Sequence, residues 1–175
     1  TGARINEICS LNLEDIQQNG EGIFFLNIID SKTPAGVRNI AVAHPLACSI
    51  LSKRWKPDAK GQLFPEFKPG GYDRKLSWNM SKAFGRYRDK LKLSRATDFH
   101  SFRRTVATLM ENLGLDQMKQ ARHMGHKLGT LAFDIYSGGS SVKIKIEVAK
   151  KIRYSEDVEK AVLDFYKRTI TNKRE

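Results

Sequence analysis

The chain has 175 residues, of which 40% are hydrophobic and 29% charged, enough for one domain around a single apolar core and too few for two comfortable ones. Lys and Arg number 31 against 19 Asp and Glu, a formal charge of +12. An excess of that size points to a polyanionic partner, because each phosphate neutralised releases condensed counterions. No apolar run nears the roughly 20 residues that span a bilayer and no secretory pattern opens the chain, so a soluble protein of the cytoplasm is expected. Cys9 and Cys48 stand singly in apolar segments and read as buried free thiols rather than a disulfide.

In chain order, residues 4–11 (RINEICSL) predict a short helix with Ile5 and Ile8 inward, and Asn12 is placed to cap a following turn. GIFFLNII at 22–29 is a β-rich run, DSKTPAG at 30–36 is a turn, and residues 37–42 make a second strand. Together these predict a β-hairpin with Lys32 near its tip. Residues 45–55 have helical spacing, 56–76 are loop-like, and 77–93 predict a long basic amphipathic helix. From Phe99 to about Leu113 another helix follows, with Phe102, Val106, Leu109, Met110 and Leu113 on one face and Gly114 as its stop. Further helices are expected over 115–123, 130–136, 143–152 and 155–169. The fold class is therefore mainly α with a small antiparallel β-sheet (α+β). A core over 1–153 and a helical tail over 154–175 are expected within one domain spanning 1–175.

The helix at Phe99 places His100 and Arg103 three residues apart, adjacent on its surface, with Arg104 beside them. His123 and His126 then flank a glycine, and Tyr136 follows one short helix later. Singly, each has an ordinary explanation: a satisfied histidine, a packed tyrosine, a solvated charge. The H-x-x-H pair of His123 and His126, with Cys9, Cys48 or His100, would also be a sparse zinc set, but it lacks the paired Cys/His spacings that such sites show.

The order carries more weight than the members. TGARINEICSL, SKT in a hairpin turn, HSFRRT on a helix, MGH in a turn and then Tyr136 together resemble the tyrosine recombinase, or phage integrase, family through residues 1–155. The resemblance implies Arg4 and Arg103 as catalytic arginines and Glu7 as a supporting carboxylate. It implies Lys32 as the hairpin lysine, His100 and His126 as catalytic histidines, and Tyr136 as the nucleophile. It also implies the tyrosine recombinase catalytic-domain fold, a linkage at the 3′ phosphate, and a homotetramer on two double-stranded DNA sites. A catalytic residue at position 4 of a chain that opens on Thr1 suggests a fragment with more protein upstream, by resemblance a core-binding domain.

These residue types suit phosphodiester transfer. Paired guanidiniums grip phosphate oxygens through parallel hydrogen bonds, imidazoles donate and pass protons near neutral pH, and a lysine among cations can protonate a leaving oxygen. A phosphotyrosine ester conserves the bond energy, so the scheme calls for no ATP, cofactor or metal. Lys82, Arg86 and Arg104 are candidate DNA-backbone contacts. The tail helices carry apolar stripes, Ile144, Val148 and Ile152 on one and Val158, Val162 and Phe165 on the other. The tail fits either the chain's own core or a neighbouring protomer, with Gly138 and Gly139 as a hinge. Phage or prophage integration, aided by an accessory directionality protein, is the expected setting. A type IB topoisomerase and a non-catalytic DNA-binding remnant are the alternatives; His100 argues against the former, where the resembling position tends to be Lys.

Overall fold

The computed structural model describes residues 1–129 and 139–171. The helix expected over 130–136, and Tyr136 with it, lies outside the described residues. Among these, seven α-helices surround a three-stranded antiparallel sheet, which agrees with a mainly helical class. The helices are α1 (Ile5–Cys9), α2 (Pro45–Arg54), α3 (Trp78–Lys90), α4 (Phe99–Asn112), α5 (Gln117–Met124), α6 (Val142–Lys151) and α7 (Glu156–Thr171). The strands are β1 (Ile16–Gln18), β2 (Phe24–Ile28) and β3 (Arg38–Val42), in the order β1-β2-β3.

The hairpin forms as expected, with Phe24 opposite Val42 and Ile28 opposite Arg38. β1 is an addition: Ile16 pairs with Leu26 and closes the other edge of β2. Both faces of β2 are covered by packed side chains, which explains an almost continuous apolar run in place of alternation. Phe24, Leu26 and Ile28 pack with Ile40, Val42, Leu11 and Leu51 on one face. Phe25 and Ala41 meet Ala149 of α6 on the other.

α4 starts where Asp98 caps it, its carboxylate accepting the Ser101 N–H at 2.9 Å, and Gly114 follows its end at φ +63°. Its buried face differs from the expected one. Arg103, Val106 and Met110 are buried, while Phe102 and Leu113 are exposed. The helix is turned so that an arginine takes an interior position, which apolar periodicity alone does not anticipate. Phe102 instead meets Phe84 edge-on and Phe99 at a tilt on the outer side, where α3 meets α4. Val106, Met110, Met124, Val148 and Ile152 form a second core cluster joining α4, α5 and α6, so the predicted stripe of α6 does face inward. On α7 the predicted stripe is half open: Val158, Val162 and Phe165 all keep substantial exposure. Cys9 and Cys48 are free, and burial pushes the Cys9 thiol up to about 11.

Candidate active site

Glu7 is the hub. Its carboxylate is buried, and burial alone would raise its pKa. Hydrogen bonds from Arg38, from the backbone and side chain of Arg4, and from Ser31 outweigh that and hold it at about 2. The contacts are Arg4 Nη1 at 2.7 Å, Arg4 N at 2.9 Å, Ser31 Oγ at 2.7 Å and Arg38 Nη2 at 3.1 Å. Arg4 is thus fixed by the first turn of α1, where its backbone N–H and guanidinium both reach one carboxylate. Ser31, next to Lys32, accepts from Arg4 Nη1 at 3.3 Å, so the hairpin is bound to the α1 box.

Arg38 was not among the expected site residues. Besides Glu7, it donates through Nε to the His123 carbonyl at 2.8 Å and through Nη1 to the Gly36 carbonyl at 2.6 Å. One guanidinium therefore joins β3, the hairpin turn, α1 and the end of α5. The sequence held a signal for it: Arg38, Ile40 and Val42 alternate on one strand face, and a cation on a core-facing row needs a buried acid. Two glycines make this junction possible. A Cβ on Gly36 would stand 1.9 Å from Ser31 Oγ, and one on Gly125, which sits at φ +68°, would stand 2.8 Å from Arg38 Nη1.

Arg103 enters from α4. It donates to the Gly2 carbonyl at 2.6 Å and to the Met124 carbonyl, and its Nη2 lies 2.9 Å from His126 Nε2. Burial first, then repulsion from Arg4 and Arg38, lowers its pKa to about 10, so it stays charged at neutral pH. Because a guanidinium can only donate, His126 Nε2 must accept, leaving a neutral ring with its proton on Nδ1. Partial burial and then the cations Arg103, Arg4 and Arg38 lower the His126 pKa in the same sense. His123 turns away, its Nε2 lying 2.9 Å from the Thr1 carbonyl, and burial is the first cause holding it near 4.

His100 is exposed and lines, with Arg4, Arg103, Ser81, Gly85 and Arg88, a cavity of about 450 Å³ between α1, α3 and α4. The structure therefore brings Arg4, Glu7, Arg103, His126 and His100 to one place, with Lys32 exposed on the adjoining hairpin. Of the other expected contacts, Lys82 and Arg86 are exposed on α3. Arg104 is exposed but reaches back to Ser101 Oγ at 2.8 Å and the Ala96 carbonyl at 3.2 Å.

A small sheet framed by helices, with arginines from distant segments gathered beside an open cavity, suits the holding of an anion such as a phosphate. The sequence model of the phage integrase family matches residues 1–138, and the chain belongs to that family, the tyrosine recombinases. Its broad function is accordingly site-specific recombination of DNA. Comparison with curated proteins and with solved structures found no match. Among the described residues, no helix is long and apolar enough to cross a membrane.

Proposed function

We propose that this chain cuts and rejoins DNA at a specific site through Tyr136, as a phage or prophage integrase. The observation that carries this reading is the meeting of Arg4, Glu7, Arg103 and His126, drawn from distant segments of the sequence, with Arg4, Arg103 and His100 lining one open cavity. Arg4 and Arg103 clamp the non-bridging oxygens, and Glu7 holds Arg4 in place. His126 and His100 donate to the same oxygens as charge builds. The Tyr136 oxygen forms a bond to phosphorus as the bond to the 5′ oxygen breaks. The phenolic proton is given up to a base and Lys32 supplies one to the leaving oxygen. The result is a 3′-phosphotyrosine, and the reverse step reseals the strand with no net change in bonds.

In this reading residues 1–153 are the catalytic core within a recombinase catalytic-domain fold, and 154–175 form a tail that docks on a neighbouring protomer of a tetramer. The half-open stripe of α7 supports such docking. Lys82, Arg86 and Arg104 position the duplex, and an accessory protein sets direction. The test is a nicked duplex carrying the recombination site, which traps the covalent state. The protein should accumulate an adduct that Tyr136→Phe abolishes, with peptide mapping placing the nucleotide on Tyr136. An adduct undiminished in Tyr136→Phe would overturn the proposal.

A further inference from the structure

The segment before α3 contains a feature that the catalytic scheme does not use. Tyr72 is completely exposed (106% of its reference surface), yet it sits on a turn that is firmly built. Gly70 donates to the Lys75 carbonyl at 3.2 Å and forms an isolated antiparallel bridge with it, and Arg74 donates to the Gly71 carbonyl at 3.2 Å. Gly70 and Gly71 lie flat against the Trp78 indole; a Cβ on either would stand 2.4 and 2.8 Å from the ring. Arg74 holds a left-handed backbone at φ +47°, which costs a non-glycine residue energy. A tight turn braced by a tryptophan and presenting a bare tyrosine beside a strained arginine spends stability on display.

The exposed charges around it are the cations Lys68, Arg74 and Lys75 against one acid, Asp73, which pairs with Lys75, and Lys82 Nζ stands 4.6 Å over the Trp78 ring. The turn is also tied to the site. Trp78, Ser81, Gly85 and Arg88 follow one face of α3, and the last three line the cavity of Arg4, His100 and Arg103. At the same end, the buried Ser77 donates its N–H to Asn6 Oδ1 of α1 at 3.3 Å, the helix that follows Arg4. Trp78 and Gly85 are about 10 Å apart along the helix axis, well within one roughly 34 Å turn of DNA.

We propose that the 70–75 turn is a second DNA contact, in which Tyr72 enters a groove of the duplex flanking the cleaved phosphate while Arg74 meets a backbone phosphate. The proposal rests on the recombinase reading for the position of that phosphate. A duplex is favoured over a protein partner because the exposed charges ringing Tyr72 are mostly cations and the chain carries +12.

The test is binding to a short labelled duplex by fluorescence anisotropy across a salt series, alongside adduct formation on the nicked site. Tyr72→Ala should weaken binding roughly tenfold with its salt slope unchanged, and Tyr72→Phe should retain most of the affinity. Arg74→Asn, which keeps a residue tolerant of the left-handed backbone, should lower the salt slope by about one. Lys160→Ala removes one exposed charge from α7 as a control. Equal slopes for Arg74→Asn and Lys160→Ala, with Tyr72→Ala binding like the parent, would overturn the proposal. So would variants that impair only assembly on paired sites. Should the parent protein form no adduct while the turn variants still lose affinity, the catalytic reading fails and the turn contact stands.

Discussion

The two halves of the candidate site are built on opposite terms. Arg4, Glu7, Arg38 and Arg103 form a dense junction in which every guanidinium is oriented by a carboxylate or a backbone carbonyl. Lys32, His100 and His126 stand at its open edge, exposed to solvent. In the proposed reaction the junction would grip phosphate oxygens, while at the open edge Lys32 would transfer a proton and the two histidines would donate to the same oxygens. Gripping phosphate oxygens gains from groups that need no reorganisation at the moment of reaction, whereas proton transfer needs groups that can approach and withdraw. Substitutions in the first half should register in stability, and those in the second in rate alone.

The largest effect is expected at Glu7. Glu7→Ala leaves Arg38 and Arg4 facing each other without their shared anion, and removing one partner of a buried ion pair costs about 3–5 kcal/mol. Chemical denaturation should show that loss. At the exposed Arg54–Glu66 pair, 2.8 Å long with side chains 39% and 47% exposed, Glu66→Ala should cost under about 1 kcal/mol. Comparable losses at the two acids would erase the distinction between the junction and the surface.

Acid should expose the same asymmetry with a defined sign. The Glu7 carboxyl sits at about 2 in the fold against an ordinary 4.5, so between those values the unfolded chain binds more protons than the folded one. Its contribution is complete above about pH 4.5 and drains as pH falls towards 2, on the order of 3 kcal/mol in all. His123, near 4 against an ordinary 6.5, adds a loss that begins as pH drops below 6.5. Denaturation midpoints that stay flat from pH 7 to pH 3 would contradict both assignments.

How much of this was legible from sequence divides along the same line. The hairpin and the start of α4 at Phe99 follow from local signals, turn residues and apolar spacing, and the grouping of Arg4, Glu7, Arg103 and His126 from the family resemblance that the ordered motifs carry. β1 was missed because Ile16-Gln17-Gln18 is too short and polar to read as a strand until β2 offers it an edge. Arg38 was missed because a charge in a strand reads as solvent-facing unless its row is followed to Ile40 and Val42. The rotation of α4 was hidden for a related reason, since burying Arg103 depends on the Gly2 and Met124 carbonyls that only the folded chain supplies.

A smaller effect is expected where the two halves join. Gly36→Ala would press its methyl into Ser31, whose hydroxyl bonds both Arg4 and Glu7. The hairpin must shift, at a cost of about 1–3 kcal/mol. Thermal unfolding should fall while Ser31→Ala together with Gly36→Ala recovers part of the loss, because the clash partner is then removed. No recovery in the double variant would show that the hairpin is held by something other than this contact.

Lys32 should give the smallest stability change and the cleanest separation of the halves. Its side chain is exposed at the hairpin turn, so Lys32→Ala should move the unfolding free energy by less than about 0.5 kcal/mol. If it protonates the leaving 5′ oxygen, the same variant should slow strand cleavage by roughly 100-fold or more while DNA affinity barely changes. Raising the acidity of the leaving group, by replacing the bridging 5′ oxygen with sulfur, should then restore most of the rate, since a thiolate departs without a proton. Restoration of Lys32→Ala but not of Arg103→Ala would assign proton transfer to the open edge and charge neutralisation to the junction. If the sulfur substrate rescued both or neither, the hairpin lysine would belong with the clamp, and the division between the two halves would fail.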